Sequence, residues 1–148
     1  MASLTAGTFL MVGSGTTTLT YTKVCDITDF PDLGSLPEGV DATTLSDYMR
    51  KYIPGLIDTG SLSFSAQLDS STIALLQEGG TGTPTLKHLA VWFGGTRSSG
   101  TITPTGSILK IEFDGYTDAI VAGAGVNEVI PVTVGVTVAS AFTYVTGQ

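Results

Sequence analysis

Few residues in the chain are of types that do chemistry, and they lie far apart. His88 is the only histidine among 148 residues, and no serine or acid stands beside it in a pattern that would make it a catalytic base. In "LKHLAVWF" (86–93) it reads as an ordinary strand histidine. "GSGTT" (13–17) is too tight for the G-x-S-x-G elbow of a nucleophile. "GAGVNE" (123–128) has the first two glycines of a dinucleotide fingerprint but no third, and strand-like sequence follows it. Asp26, Asp29 and Asp32 recur at three-residue spacing without the ligand spacing or the glycine of an EF-hand loop. Cys25 is the single cysteine, so it has no intrachain disulfide partner and no companion spaced for zinc. The expectation is no catalytic residue, no cofactor and no metal.

Composition points to a sheet. Hydrophobic residues make up 42% of the chain and charged ones 13%, which excludes a disordered chain and leaves the outside to threonine, serine and glycine. Threonine is branched at Cβ and fits a pleated surface. The formal net charge is −7 and the pI about 4.3, so attraction to a phosphate backbone or an anionic membrane is disfavoured. No apolar run reaches the length of a membrane span, and "MASLTAGTFLMVGSG" has no basic segment ahead of its apolar patch. These features suggest a soluble, unsecreted product made in a reducing cytoplasm.

The elements follow from periodicity. "GSLSFSAQL" (60–68) alternates Leu62, Phe64, Ala66 and Leu68 with Ser61, Ser63, Ser65 and Gln67, which is a strand with one buried face. "TTTLTYTKV" (16–24) sets Leu19 and Tyr21 against threonines. "LKHLAVWF" suggests a strand covered on both faces. "ILKIEFDGY" (108–116) sets Leu109, Ile111 and Phe113 against Lys110, Glu112 and Asp114. "VIPVTVGVTV" (129–138) alternates valines, with Pro131 where a strand start allows it. Only "DSSTIALLQEGG" (69–80) looks helical, over about 70–78, with Asp69, Ser70 or Ser71 as N-cap, Gly79 as C-cap, and Ile73 and Leu76 as the stripe that docks on the sheet. The predicted fold is mainly β: one unit over 1–148, a β-sandwich or partly closed barrel with one short flanking helix and a long early loop. "GGTGTP" (79–84), "GGTRSSG" (94–100) and "AGAGVN" (122–127) read as turns.

The long loop carries the most distinctive sequence. Its features run in the order Asp-Phe-Pro-Asp-Leu-Gly (29–34), Pro37-Glu38, Thr-Thr-Leu (43–45), Asp47, Arg50-Lys51, Tyr-Ile-Pro-Gly-Leu (52–56), and then the alternating strand with Phe64. Over roughly residues 24–70 this resembles the tail tube proteins, or major tail proteins, of long-tailed bacteriophages with non-contractile tails. Beyond that stretch the likeness rests on general layout. The resemblance implies hexameric rings stacked into a hollow tube that conducts DNA during ejection without binding it specifically. It also implies a tape-measure protein inside the tube, and tail-tip and terminator proteins as further partners. The place implied is the virion tail, assembled in the bacterial host cytoplasm, with no membrane partner.

On that resemblance, residues 29–59 are expected to form an arm between subunits and rings, loosely held in the free monomer. Phe30, Pro31, Leu33, Leu36, Pro37, Tyr48, Arg50, Lys51, Tyr52, Pro54 and Leu56 would make its contacts. A private loop folded on its own body is the alternative. Two strand faces are candidates for the lumen: Lys110, Glu112 and Asp114, or Ser61, Ser63, Ser65 and Gln67. An acidic wall offers DNA no contacts that release counterions. Screening acts over about 8 Å, so only residues near the DNA matter. Two other readings stand beside this one: the tube of a phage-derived injection or secretion device, and a carbohydrate-binding sandwich, for which Trp92 and the scattered tyrosines would have to cluster.

Overall fold

The computed structural model describes residues 7–34, 36–56, 60–79 and 85–146. Most of these residues build one antiparallel sheet from β1 (Thr8–Ser14), β2 (Thr20–Cys25), β3 (Ile27–Asp29), β6 (Ser61–Gln67), β7 (Lys87–Ser98), β8 (Thr101–Val121), β9 (Pro131–Val138) and β10 (Thr143–Thr146). A separate two-stranded piece, β4 (Gly39–Asp41) with β5 (Tyr52–Pro54), and one helix, α1 (Ser70–Gly79), complete the elements. Strand order is β2-β1-β7-β8-β9-β6-β3, with β10 beside β8. The mainly-β expectation with one short helix therefore holds, as a sandwich-like arrangement without a closed barrel. Among the described residues no helix is long and apolar enough to cross a membrane.

β8 organises the sheet because it is shared by three partners. Its first part pairs with β7 up to Gly115↔Lys87, residues 109–112 pair on the other edge with β10, and residues 115–121 pair with β9. Gly115 marks the handover. A Cβ there would lie 2.5 Å from the Thr137 carbonyl oxygen, so only glycine lets β9 approach. At the far end of β7 and β8 a two-residue turn carries Ser99 and Gly100, both at positive φ, between the paired Ser98 and Thr101. That is the backbone twist a tight hairpin needs.

Alternation then closes the core. Leu62, Phe64 and Ala66 of β6 meet Val132, Val134 and Val136 of β9, and across from them lie Leu10, Leu89, Val91 and Phe113. Phe142 packs edge-on against Phe113, 5.2 Å between centroids. The two halves are joined by a continuous chain run, since Cys25 pairs with Leu10 and Ile27 with Ala66. Cys25 is buried at that crossing, and desolvation first, then Asp69 and Asp26, push its thiol pKa up to about 11. β2 begins only at Thr20, later than the 16–24 segment suggests, and Tyr21 lies against Trp92, 5.6 Å between centroids, instead of joining the core.

The helix docks through Leu76 as expected, but Ile73, the other half of the expected stripe, turns outward. Asp69 is the N-cap: its Oδ1 accepts from the amides of Ser71 and Thr72 at 2.9 and 3.0 Å, while its own amide donates to Thr72 Oγ1 at 2.8 Å. Thr72 is buried because its hydroxyl also reaches the Gln67 carbonyl. Thr72, Leu75 and Leu76 consequently face the sheet, and Ile73 is left 44% exposed. Satisfying a buried hydroxyl inside the turn outweighs the gain from burying Ile73.

Gly115→Ala should lower the melting temperature by roughly 3–10 °C, the cost of overpacking against backbone. Gly123→Ala, where a Cβ meets open space, is the control. Equal melting curves for the two would remove the handover role of Gly115.

Candidate assembly surfaces

The expected arm divides into a base that belongs to the body and a projecting hairpin. Phe30 and Leu33 pack against the core, and the Phe30 ring meets Phe93 edge-on at 5.7 Å. Pro31 is half-buried beside them. From Leu36 outward the surroundings change. Leu36 and Leu56 flank the hairpin almost wholly exposed, Pro37 is exposed, and β4 and β5 pair through Gly39↔Pro54, Val40↔Ile53 and Asp41↔Tyr52. The Gly55 amide donates to the Glu38 carbonyl at 2.7 Å and closes the hairpin at its root. Ser35 and residues 57–59 lie outside the described residues.

The hairpin tip is held by polar bonds instead of a core. Ala42 N–H donates to the Lys51 carbonyl at 2.9 Å, and Lys51 N–H donates to Thr43 Oγ1 at 2.9 Å. Asp41 accepts from the Thr43 amide at 2.9 Å, and Asp47 accepts from the Thr44 amide at 2.7 Å and from Lys51 Nζ at 2.6 Å. Arg50 stands 4.0 Å from Asp41. With its backbone fixed in this way, the tip points Leu45, Tyr48 and Met49 into solvent, the first two completely, and Tyr52 and Ile53 follow along the hairpin. Sequence reading singled out Tyr48, Arg50, Lys51, Tyr52 and Pro54 but not Val40, Leu45, Met49 or Ile53. The available signal was the Thr44-x-x-Asp47 spacing, which resembles a helix cap and here caps a turn.

Both candidate lumen rows face away from the core, on different parts of the sheet. Ser61, Ser63 and Gln67 are exposed on β6, Ser65 is half-buried, and the Ser65 carbonyl accepts from Thr28 Oγ1. The β8 row is richer. Lys110 Nζ sits 4.4 Å over the Trp92 ring, Asp114 Oδ1 is 2.5 Å from His88 Nδ1, and Glu112 lies between them in the row. Tyr21, against Trp92, has its phenol pKa raised by desolvation first and then by Glu112 and Asp114. His88 is therefore paired across β7 and β8, a link that residue spacing alone did not reveal. Among the described residues no group of three or more His, Cys, Asp or Glu is arranged to hold a metal ion.

The carboxylates of the tip set its response to acid. Asp47 is held below the usual carboxylate range first by Lys51 and then by the Thr44 amide, and Asp41 by the Thr43 hydroxyl and amide. For groups depressed on folding, the stabilisation is complete above their unfolded value near 4 and is lost as pH falls through their lower folded values. The NMR signals of the Thr43 and Thr44 amides should hold steady from about pH 7 down to about pH 4 and move together below it. Signals unchanged down to about pH 2 would contradict the bonding described.

The sequence profile described as "Phage tail tube, TTP, lambda-like" matches residues 1–147. No curated protein sequence matches the chain. Among solved structures, a chain from "Cryo-EM structure of the anti-feeding prophage (AFP) baseplate, 6-fold symmetrised" superimposes with a TM-score of 0.65 at 7% identity, over 99% of this chain and 97% of that one. At that identity the likeness is one of fold. The profile match spans nearly every residue, so the chain belongs to the lambda-like phage tail tube family, a structural component of the virion tail that assembles with itself and with other tail components.

Proposed function

We propose that copies of this chain form hexameric rings that stack into the hollow tail tube, a passive conduit for DNA ejection, with the hairpin of residues 36–56 as a contact between copies. The observation that carries the reading is the tip itself. Leu45, Tyr48 and Met49 stand in water on a backbone stapled by Asp41, Thr43, Thr44, Asp47 and Lys51. A body that can already bury Phe64 and Leu89 completely leaves these side chains outside, which suits a surface completed by a partner. Phe30, Pro31 and Leu33 anchor the arm and do not reach outward. The whole of 1–148 acts as one tube-forming unit, and its role is non-catalytic.

The tail tube assignment supports further partners among tail components, for which we propose a tape-measure protein within the lumen and tail-tip and terminator proteins at the ends. DNA passes without specific binding, and assembly takes place in the host cytoplasm. The wall is formed by the Lys110, Glu112, Asp114 row or by the serine row of β6. A second reading, the tube of a phage-derived injection device, is favoured by the fold shared with the anti-feeding prophage baseplate chain. The same subunit contacts would serve there.

Replacing Leu45, Tyr48 and Met49 together by serine should abolish tubes in electron micrographs while changing monomer stability by no more than about 0.5 kcal/mol per exposed site. Normal tubes from this variant would refute the role of the tip.

A further inference from the structure

The tip needs a receiving surface, and the strand register narrows where that surface lies. Ser61↔Thr137 and Tyr116↔Thr137 place the arm's return to the sheet at one end of the β6, β9 and β8 strands. Gln67↔Pro131 and Val121↔Val132 place the β8–β9 connection at the other end, about 20 Å away along the strands. That connection carries a second cluster of apolar side chains in water. Val121, Val126, Val129 and Ile130 are exposed, Val126 by 90%, and Leu68 adjoins them, its N–H donating to the Ile130 carbonyl at 3.0 Å.

The connection also has a defined shape. Asn127 adopts a positive φ, the Gly125 amide donates to Glu128 Oε2 at 2.8 Å, and the Ala122 amide returns to the Pro131 carbonyl at 3.0 Å. Glu128 is the only charged residue from 119 to 131. At the tip, Arg50 is the more exposed of the two cations and touches its acid only at the limit of an ion pair, whereas Lys51 is held tightly by Asp47. An arm that carries an apolar tip with one available cation thus rejoins the sheet at one end of the block, and an apolar turn with one anion lies at the other.

We infer that the β8–β9 connection, together with Leu68, is the socket for the arm tip of a second copy of this chain, with Arg50 set against Glu128. The inference rests on the tube reading and adds the acceptor to it. A contact between an arm rooted at one end of the block and a socket at the other is heterologous, and between stacked rings it repeats without closing. Each copy offers one tip and one socket, so stacking propagates from either end.

The test places p-benzoylphenylalanine at position 48 (Tyr48→p-benzoylphenylalanine), irradiates assembled tubes, and maps the crosslinked peptides by mass spectrometry. The expected adducts join position 48 of one copy to residues 120–130 or Leu68 of another, and mixed isotope labelling proves them intermolecular. Val126→Asp should also raise the protein concentration needed for tubes by about tenfold or more, with an unchanged monomer melting curve. Tubes whose adducts fall elsewhere, on the same copy or on a different tail protein, would overturn the socket and leave the tube reading standing. Absence of tubes from the unmodified chain at every concentration would overturn both.

Discussion

Among the described residues, the most water-exposed apolar side chains, Leu45 and Tyr48, stand on a loop whose backbone is held by its own polar side chains. Leu45 and Tyr48 are completely exposed, yet the backbone beneath them is fixed by three carboxylate and hydroxyl bonds to its amides and by the Lys51–Asp47 ion pair, none of which needs a core. Burying a side chain of this size contributes about 1.5–3 kcal/mol. A tip already ordered before contact also loses less conformational freedom when it docks. The same three residues that gain nothing in the monomer can therefore supply much of a stacking contact.

The sheet supplies direction. β6, β9 and the last third of β8 form an antiparallel block whose two ends differ, the arm returning at one and the β8–β9 connection turning at the other. β8 can serve this block and the β7–β10 side only because Gly115 admits Thr137 at close range. Packing at one glycine therefore lets a single strand serve both parts of the sheet. The strand order ends in β2 and β3, with β10 a further edge beside β8, and edge pairing between copies would meet the liability of an unpaired strand there.

Regular alternation made much of this fold legible in the sequence. Ser61–Gln67 and Pro131–Val138 were foreseen almost residue by residue, because a two-residue period with one buried face has a single solution. The short helix and the docking of Leu76 were foreseen, but not that Thr72 would replace Ile73 on the buried side, its hydroxyl bonded to the Gln67 carbonyl. β1, β3, β4, β5 and β10 were not anticipated: β3, β4, β5 and β10 are three or four residues long, too short to show a period, and β1 is a run of apolar residues without alternation. β8 runs to 21 residues, more than twice the predicted segment, because its pairing with β7 breaks register after Leu109 and resumes at Pro104, with Gly106 at positive φ in the break. The arm was legible as a segment through its resemblance to tail tube sequences. Its division into an anchored base and a polar-stapled tip depends on Phe93 and Lys51, contacts that sequence order hides.

The decisive measurement is a cryo-EM reconstruction of the tube formed by the purified chain, read at residues 36–56. The account predicts stacked rings in which Leu45, Tyr48 and Met49 are buried against a neighbouring copy. A tube whose copies meet entirely through other surfaces, with those three side chains still in solvent, would contradict it.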